Sequence, residues 1–255
     1  MPDKLSIVGL PGVPMVQPGD NLHALAVSAL VDADIAPEAG DILVVAQKIV
    51  SKAEDRFVDV AGVVPSKRAE RLAAQTAKDP RFVELVLRES RRIVRHRENL
   101  IIAEHKLGFV MANAGIDHSN VAAADGHERV LLLPRDPDAS ASALREQLIE
   151  SYRVPIGVII SDSFGRPWRR GTVGIALGAA GLPSVIDWRG HPDLFGRPLE
   201  VTETGFADEV AAAASLVMGQ ADEAMPMVLV RGLRWSAPDA PAAALVRPPE
   251  HDLFR

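Results

Sequence analysis

Residues 157–174 read GVIISDSFGRPWRRGTVG, and the fold turns on how that stretch is divided. Its first part continues the apolar run VPIGVIIS, which has the length and β-branched content of a strand buried on both faces. The run then ends in Asp162 and Ser163. A carboxylate and a hydroxyl leaving the carboxyl end of a buried strand can face one cation from a rigid base, and hard oxygens of this kind suit magnesium or manganese. The same pair also makes an Asp-Ser turn that caps the next segment. Arg166, Arg169 and Arg170 follow closely. Their guanidinium forks match phosphate oxygens, while Gly165, Gly171 and Gly174 let the backbone approach a ligand or merely turn.

Working outward, LSIVGL (5–10) is a short strand stopped by Pro11, Gly12 and Pro14, after which Asp20 is placed to cap a helix through NLHALAVSALVDA. DILVVAQKIVSKAEDRFVDV (41–60) reads as a buried strand passing into a second extended segment. KRAERLAAQTAKD and, past Pro80, RFVELVLRESRRIVRH read as helices, the second with a basic solvated face. NLIIAEHKLGFVMANAGIDHSN reads as a hairpin ending in a polar loop, and DPDASASALREQLIESY as a helix with acids where the dipole favours them. Beyond the opening stretch lie the Gly/Ala-rich TVGIALGAAGLPSVIDW, a turn-rich extended region, a helix ADEVAAAASLVMG and a strand MPMVLVRG. GTVGIALGAAG and GRPLEVTET are too apolar or too poorly self-contained for simple surface loops, which predicts that a second copy covers them. The Pro- and Ala-rich tail, 234–255, reads as a loosely packed arm. Strands and helices without regular βαβ alternation predict an α+β fold, mixed sheets with flanking helices, over residues 1–233 in one domain or two subdomains.

Composition narrows the chemistry. Hydrophobic residues make up 47% of the chain and aromatics 4%, so the core is built from Ala, Val, Leu and Ile. The net charge of −6 argues against a general polyanion-binding surface or a nucleic-acid partner, and leaves phosphate chemistry to a local cluster. With no cysteine, disulfides, thiolate metal sites and cysteine nucleophiles are excluded. No apolar run reaches the roughly 18 residues that span a bilayer, and the start lacks a signal-type core, so a cytoplasmic protein without a membrane partner is expected.

Four further segments carry candidate chemistry. In NAGIDHSN, Asp117 offers a metal-binding carboxylate and Asn120 an amide for a nucleotide, although both residue types also favour turns; His118 is a possible base. GLPGV, with Gly9, Leu10, Pro11 and Gly12, can present backbone amides but lacks the lysine and spacing of a P-loop. AQKIVSKAEDR places Lys48 and Lys52 after a strand, and MGQADEAMPMVLV is a polar connection in which Gln220, Asp222 and Glu223 can complete a metal or nucleotide site. The hydrolase elbow, the zinc-protease helix motif and the dinucleotide fingerprint are all missing from the sequence.

Taken in order, GLPGVPMVQPGD, GDILVVAQKIVSKAEDR, NAGIDHSNV, GVIISDSFGRPWRRGTVGIALGAAG, LFGRPLEVTETGFADEVAAAASLVMG and PMVLVRGL resemble the coenzyme F420-0:L-glutamate ligase family. The resemblance is to the ligase part; in some relatives a stretch similar to LVRPPEHDLFR leads into a flavin-binding, nitroreductase-like domain. It implies GTP-dependent addition of L-glutamate to the side chain of F420-0 through an acyl phosphate. It also implies two divalent cations, magnesium or manganese, with a monovalent cation as a further candidate, in an intertwined homodimer of α+β subunits. By the resemblance, Asp117, Asp162 and Ser163 bind metal, and Gln220 stands where some members carry a glutamate ligand. Asn120, Lys52, the turn Gly9 to Gly12, and the loop of Met218, Gly219, Gln220, Ala221, Asp222, Glu223, Ala224 and Met225 fall on nucleotide-binding positions. Gln47 and Lys48 join them, standing where some members have small hydroxyl residues. Asp162 with Arg166, Arg169 and Arg170 then forms the catalytic group. Two other readings are a nucleotide-dependent ligase or phosphotransferase acting on another carboxylate, and a non-catalytic nucleotide- or deazaflavin-binding protein.

Overall fold

In the computed structural model, which describes residues 4–118 and 128–253, the chain begins with β1 (Ser6–Gly9), α1 (Leu22–Asp32), β2 (Ile42–Ala46), α2 (Gln47–Ala53) and β3 (Phe57–Asp59). It continues through α3 (Lys67–Thr76), α4 (Pro80–Glu89), β4 (Ser90–Arg97), β5 (Leu100–His105), β6 (Val110–Ala112) and β7 (Arg129–Leu131). The last part holds α5 (Pro137–Tyr152), β8 (Gly157–Gly165), β9 (Thr172–Ala180), β10 (Ile186–Asp187), β11 (Glu203–Thr204), α6 (Phe206–Met218) and β12 (Met227–Arg231).

A mixed five-stranded sheet, ordered β1-β12-β2-β8-β9, forms the centre, and only β2 and β8 run parallel. The apolar runs of these two strands are explained by burial on both faces. Leu43, Val45, Val158 and Ile160 face α1 and α5, whereas Ile42, Val44 and Ile159 face α6. A second core lies under α3 and α4, against the antiparallel sheet β4-β5-β6 and the pair β3-β7. This is the α+β arrangement of mixed sheets and flanking helices that the sequence predicts.

Several local expectations are corrected. The segment after β2 is not extended: Gln47–Ala53 is a helix whose Ile49 and Val50 enter the core. Asn21, not Asp20, caps α1 by accepting the Ala24 N–H, while Asp20 takes the N–H of Gln17. The helix from Pro80 stops at Glu89, and Ser90–Arg97 becomes a strand because β5 offers it a ladder, with Arg92 paired to Glu104 across the strands at 2.7 Å. The Gly/Ala-rich β9 finds its partners within the chain. A Cβ at Gly178 would fall 2.1 Å from the Pro137 carbonyl of α5, and one at Gly174 would fall 2.4 Å from the Ala211 carbonyl of α6, so these glycines set how closely the helices approach. The tail is anchored around Ala242. Ala242 is fully buried, and Asp138 accepts the N–H groups of Ala179, Ala242 and Ala243.

Candidate active site

The cleft opens where the two parallel strands part. The last pair of their ladder joins Ala46 to Ser161; after it β2 turns into α2, while β8 continues with β9 alone. Asp162 and Ser163, freed of a neighbour on that side, border a cleft of about 560 Å³ together with Ser161. The carboxyl ends of parallel strands are the common place for such a site. Asp117 reaches the same cleft from beside β7, held by paired backbone hydrogen bonds with Leu131, both 2.9 Å. Val13–Val16, and the loop that leaves α6 at Met218 and returns at Pro226, form further walls.

Asp117 and Asp162 share the cleft with Lys48 and Lys52. Asp117 accepts a hydrogen bond from Gln47 Nε2 at 2.8 Å, and Lys48 Nζ lies 3.4 Å from its other oxygen. Burial nevertheless pushes the Asp117 carboxyl above the usual carboxylate range. Asp162 is pushed up to about 7, first by burial and then by the negative charge of Asp117; the Ser163 N–H, 2.8 Å away, and Lys48 pull only weakly the other way. Lys52 is 7% exposed, and burial followed by repulsion from Lys48 lowers its ammonium.

Burial raises both carboxyls, and the charge of Asp117 raises that of Asp162 further, an arrangement that a bound cation would relieve. Among the described residues there is no cluster of three or more His, Cys, Asp or Glu side chains suited to a metal. The available donors are instead Asp117, Asp162, the Ser163 hydroxyl and, on the facing loop, the amide of Gln220. That set fits magnesium or manganese, which take one or two carboxylates and complete their octahedron with water and substrate phosphates.

The sequence candidates divide by place. Gln47, Lys48, Lys52, Asp117, Asp162, Ser163 and the whole loop Met218–Met225 line one cleft. The turn at Gly9–Gly12 does not. Leu10 is fully buried with its N–H on the Met227 carbonyl, and a Cβ at Gly9 would meet Met225 at 2.9 Å, so the turn supports the loop from behind. Arg166, Arg169 and Arg170 occupy the β8–β9 turn and do not border the cleft; Arg169 and Arg170 are exposed, and Arg166 Nη1 is enclosed without a hydrogen-bond partner. Asn120 lies outside the described residues. Sequence reasoning missed the wall Val13–Val16, together with Ser161 and Ser215, because small or apolar residues carry no signal of chemistry until a cavity is seen beside them.

The F420-0:Gamma-glutamyl ligase family model matches residues 12–232. The chain belongs to this family. It is 47% identical over 253 residues to the coenzyme F420:L-glutamate ligase of Methanothermobacter thermautotrophicus, covering 98% of this chain and 99% of that protein. It is 41% identical over 252 residues to the protein of that name from Methanocaldococcus jannaschii, covering 99% and 97%. To the one from Methanopyrus kandleri it is 46% identical over 245 residues, covering 94% and 93%. The matched span of this F420-0:Gamma-glutamyl ligase family member holds every described cleft residue named above.

Proposed function

We propose that this protein ligates L-glutamate to the terminal side-chain carboxylate of coenzyme F420-0, driven by GTP through an acyl phosphate. The observation that carries the reading is the convergence of Asp117 and Asp162, distant in sequence, on a cleft that also holds Lys48 and Lys52. A carboxylate is a poor acyl donor. Its oxygen attacks the γ-phosphorus, the bond to the β-phosphate oxygen breaks and GDP leaves; the glutamate amine then attacks the acyl carbon, expels phosphate and loses a proton.

Asp117, Asp162, Ser163 and Gln220 would hold magnesium or manganese, in two sites. When bound, such ions neutralise charge on the phosphate oxygens in the transfer. Lys48 and Lys52 stand on one face of α2 and present ammonium groups to the same anionic substrate. The Met218–Met225 loop and Asn120 serve the nucleotide. Arg166, Arg169 and Arg170, which stand outside the cleft on the β8–β9 turn, would serve phosphate or coenzyme only where the bound substrate extends out to that turn, within a homodimer to which the exposed Trp168, Leu194, Phe195 and Val201 contribute apolar surface.

The test is mass spectrometry on purified protein incubated with F420-0, GTP, L-glutamate and manganese. A product heavier by one glutamyl residue, formed with equimolar phosphate, supports the reading. Phosphate release only with a different carboxylate would mark another ligase, and ligand binding without phosphate release would mark a binding protein. Light scattering at micromolar concentration tests the dimer, with monomer alone as the adverse result. Separate alanine substitutions at 166, 169 and 170 that all leave the steady-state constants within a factor of two would remove the arginines from the mechanism.

A further inference from the structure

Gln47 stands at a nucleotide-binding position by resemblance, yet its side chain is not free to meet a nucleotide. It is 2% exposed and both ends of its amide are engaged. Ser51 Oγ, fully buried one helical turn on, donates to Gln47 Oε1 at 2.9 Å, and Gln47 Nε2 donates to Asp117 Oδ2 at 2.8 Å. With Asp117 ionised, the direction of this chain of bonds is set. An ionised carboxylate only accepts, so the amide must turn its NH₂ toward Asp117, and the serine hydroxyl, which can donate or accept, completes the other end.

The relay also links elements distant in sequence. Ser51 and Gln47 belong to α2, whose Ile49 and Val50 pack in the core beneath the central sheet, whereas Asp117 is held beside β7 by Leu131. Asp162 is fixed in β8 of that central sheet. The relative placement of the two carboxylates therefore depends on a contact between these elements. Gln47–Asp117 is such a contact, and it also fixes which oxygen of Asp117 remains for other partners.

We infer that Ser51 and Gln47 are positioning residues that orient Asp117 for divalent-cation binding, so that the amide of Gln47 acts through Asp117 and not on the nucleotide. The inference rests on the cation-dependent ligase reading. Buried groups that hold a ligating carboxylate typically change metal affinity by about 10–100-fold when removed.

The test is direct manganese binding to the full chain, read as loss of the free Mn²⁺ paramagnetic resonance signal, for the parent and for Gln47→Met, Ser51→Ala and the double variant. Met keeps the length of Gln without its donor, and Ser51→Ala removes only one oxygen, so at least the latter is expected to retain the fold, checked by circular dichroism. We expect Gln47→Met to weaken Mn²⁺ binding about tenfold and Ser51→Ala about threefold to tenfold. Because the serine acts through the glutamine, Ser51→Ala should add nothing further in the Gln47→Met background; a merely structural loss would add. Should Gln47→Met fail to fold, the affinity of Ser51→Ala decides alone. Parent-like Mn²⁺ affinity, within a factor of two, in the folded variants overturns the relay while leaving the ligase reading intact. Absence of Mn²⁺ binding by the parent overturns both.

Discussion

The negative charge of Asp117 helps to raise the Asp162 carboxyl to about 7, although the two residues lie 45 positions apart in sequence. An acid raised above its unfolded value is bound by a proton more readily in the folded chain. The folded state is therefore favoured below the ordinary carboxylate range and loses that advantage as pH rises toward 7. Asp162→Asn should abolish ligation yet stabilise the cation-free protein by about 1–3 kcal/mol at pH 8, with the gain vanishing near pH 4. Thermal unfolding at the two pH values in the presence of a chelator checks this; an equal shift at both would separate the effect from the charge.

Gly219 and Glu223 give the loop its shape. Gly219 has φ +72° and ψ −172°, a region open only to glycine, and a Cβ there would lie 2.1 Å from Glu223 Cδ. The Glu223 carboxylate in turn accepts the Ala221 N–H at 2.8 Å. Gly219→Ala should force the loop to rearrange at a local cost of about 1–3 kcal/mol, with GTP affinity falling about tenfold and little change in melting temperature. Calorimetric titration with GTP measures it, and unchanged affinity would remove the loop from the nucleotide site.

Asp138 ties the tail to the central sheet. Its Oδ1 accepts the N–H groups of Ala179 at 2.8 Å and Ala242 at 2.7 Å, and Oδ2 accepts that of Ala243 at 3.2 Å. Asp138→Ala leaves three backbone donors without this partner and should cost about 2–3 kcal/mol, seen as a lower denaturation midpoint. Amide exchange should rise first in residues 240–246.

Glu89 is an acid-sensitive point beside the second core. The His105 ring beside it, then Lys106 at 3.3 Å and Arg56 at 3.1 Å, hold its carboxyl down at about 2. A depressed acid contributes stability that is present above about pH 4.5 and is lost as pH falls toward 2. Glu89→Gln should lower stability by about 2 kcal/mol at pH 7 and converge with the parent near pH 2. Parallel unfolding curves at both pH values would show that the cluster contributes through packing alone.

Much was legible before any coordinates. The strand VPIGVIISD, the hairpin of β5 and β6, helices α5 and α6, and the acids Asp117 and Asp162 could be named because each rests on a local pattern of hydrophobic period, turn residue or strand-end polarity. Ordered segments spread along the chain pointed to the family for the same reason. What tertiary structure alone decided involves partners distant in sequence. Gln47–Ala53 is a helix that turns Ile49 and Val50 into the core where β2 leaves β8, and SRRIVRHR is a strand because β5 lies alongside to pair with it. GTVGIALGAAG and the Pro/Ala tail look unpartnered as text, yet Pro137, Ala211 and Asp138 complete them within the same chain. Gln47 reads as a nucleotide position by resemblance, and only the fold shows its amide bonded to Asp117, seventy positions away. Local sequence specifies the conformation a segment prefers; which polar atoms remain available for chemistry depends on what the fold brings against them.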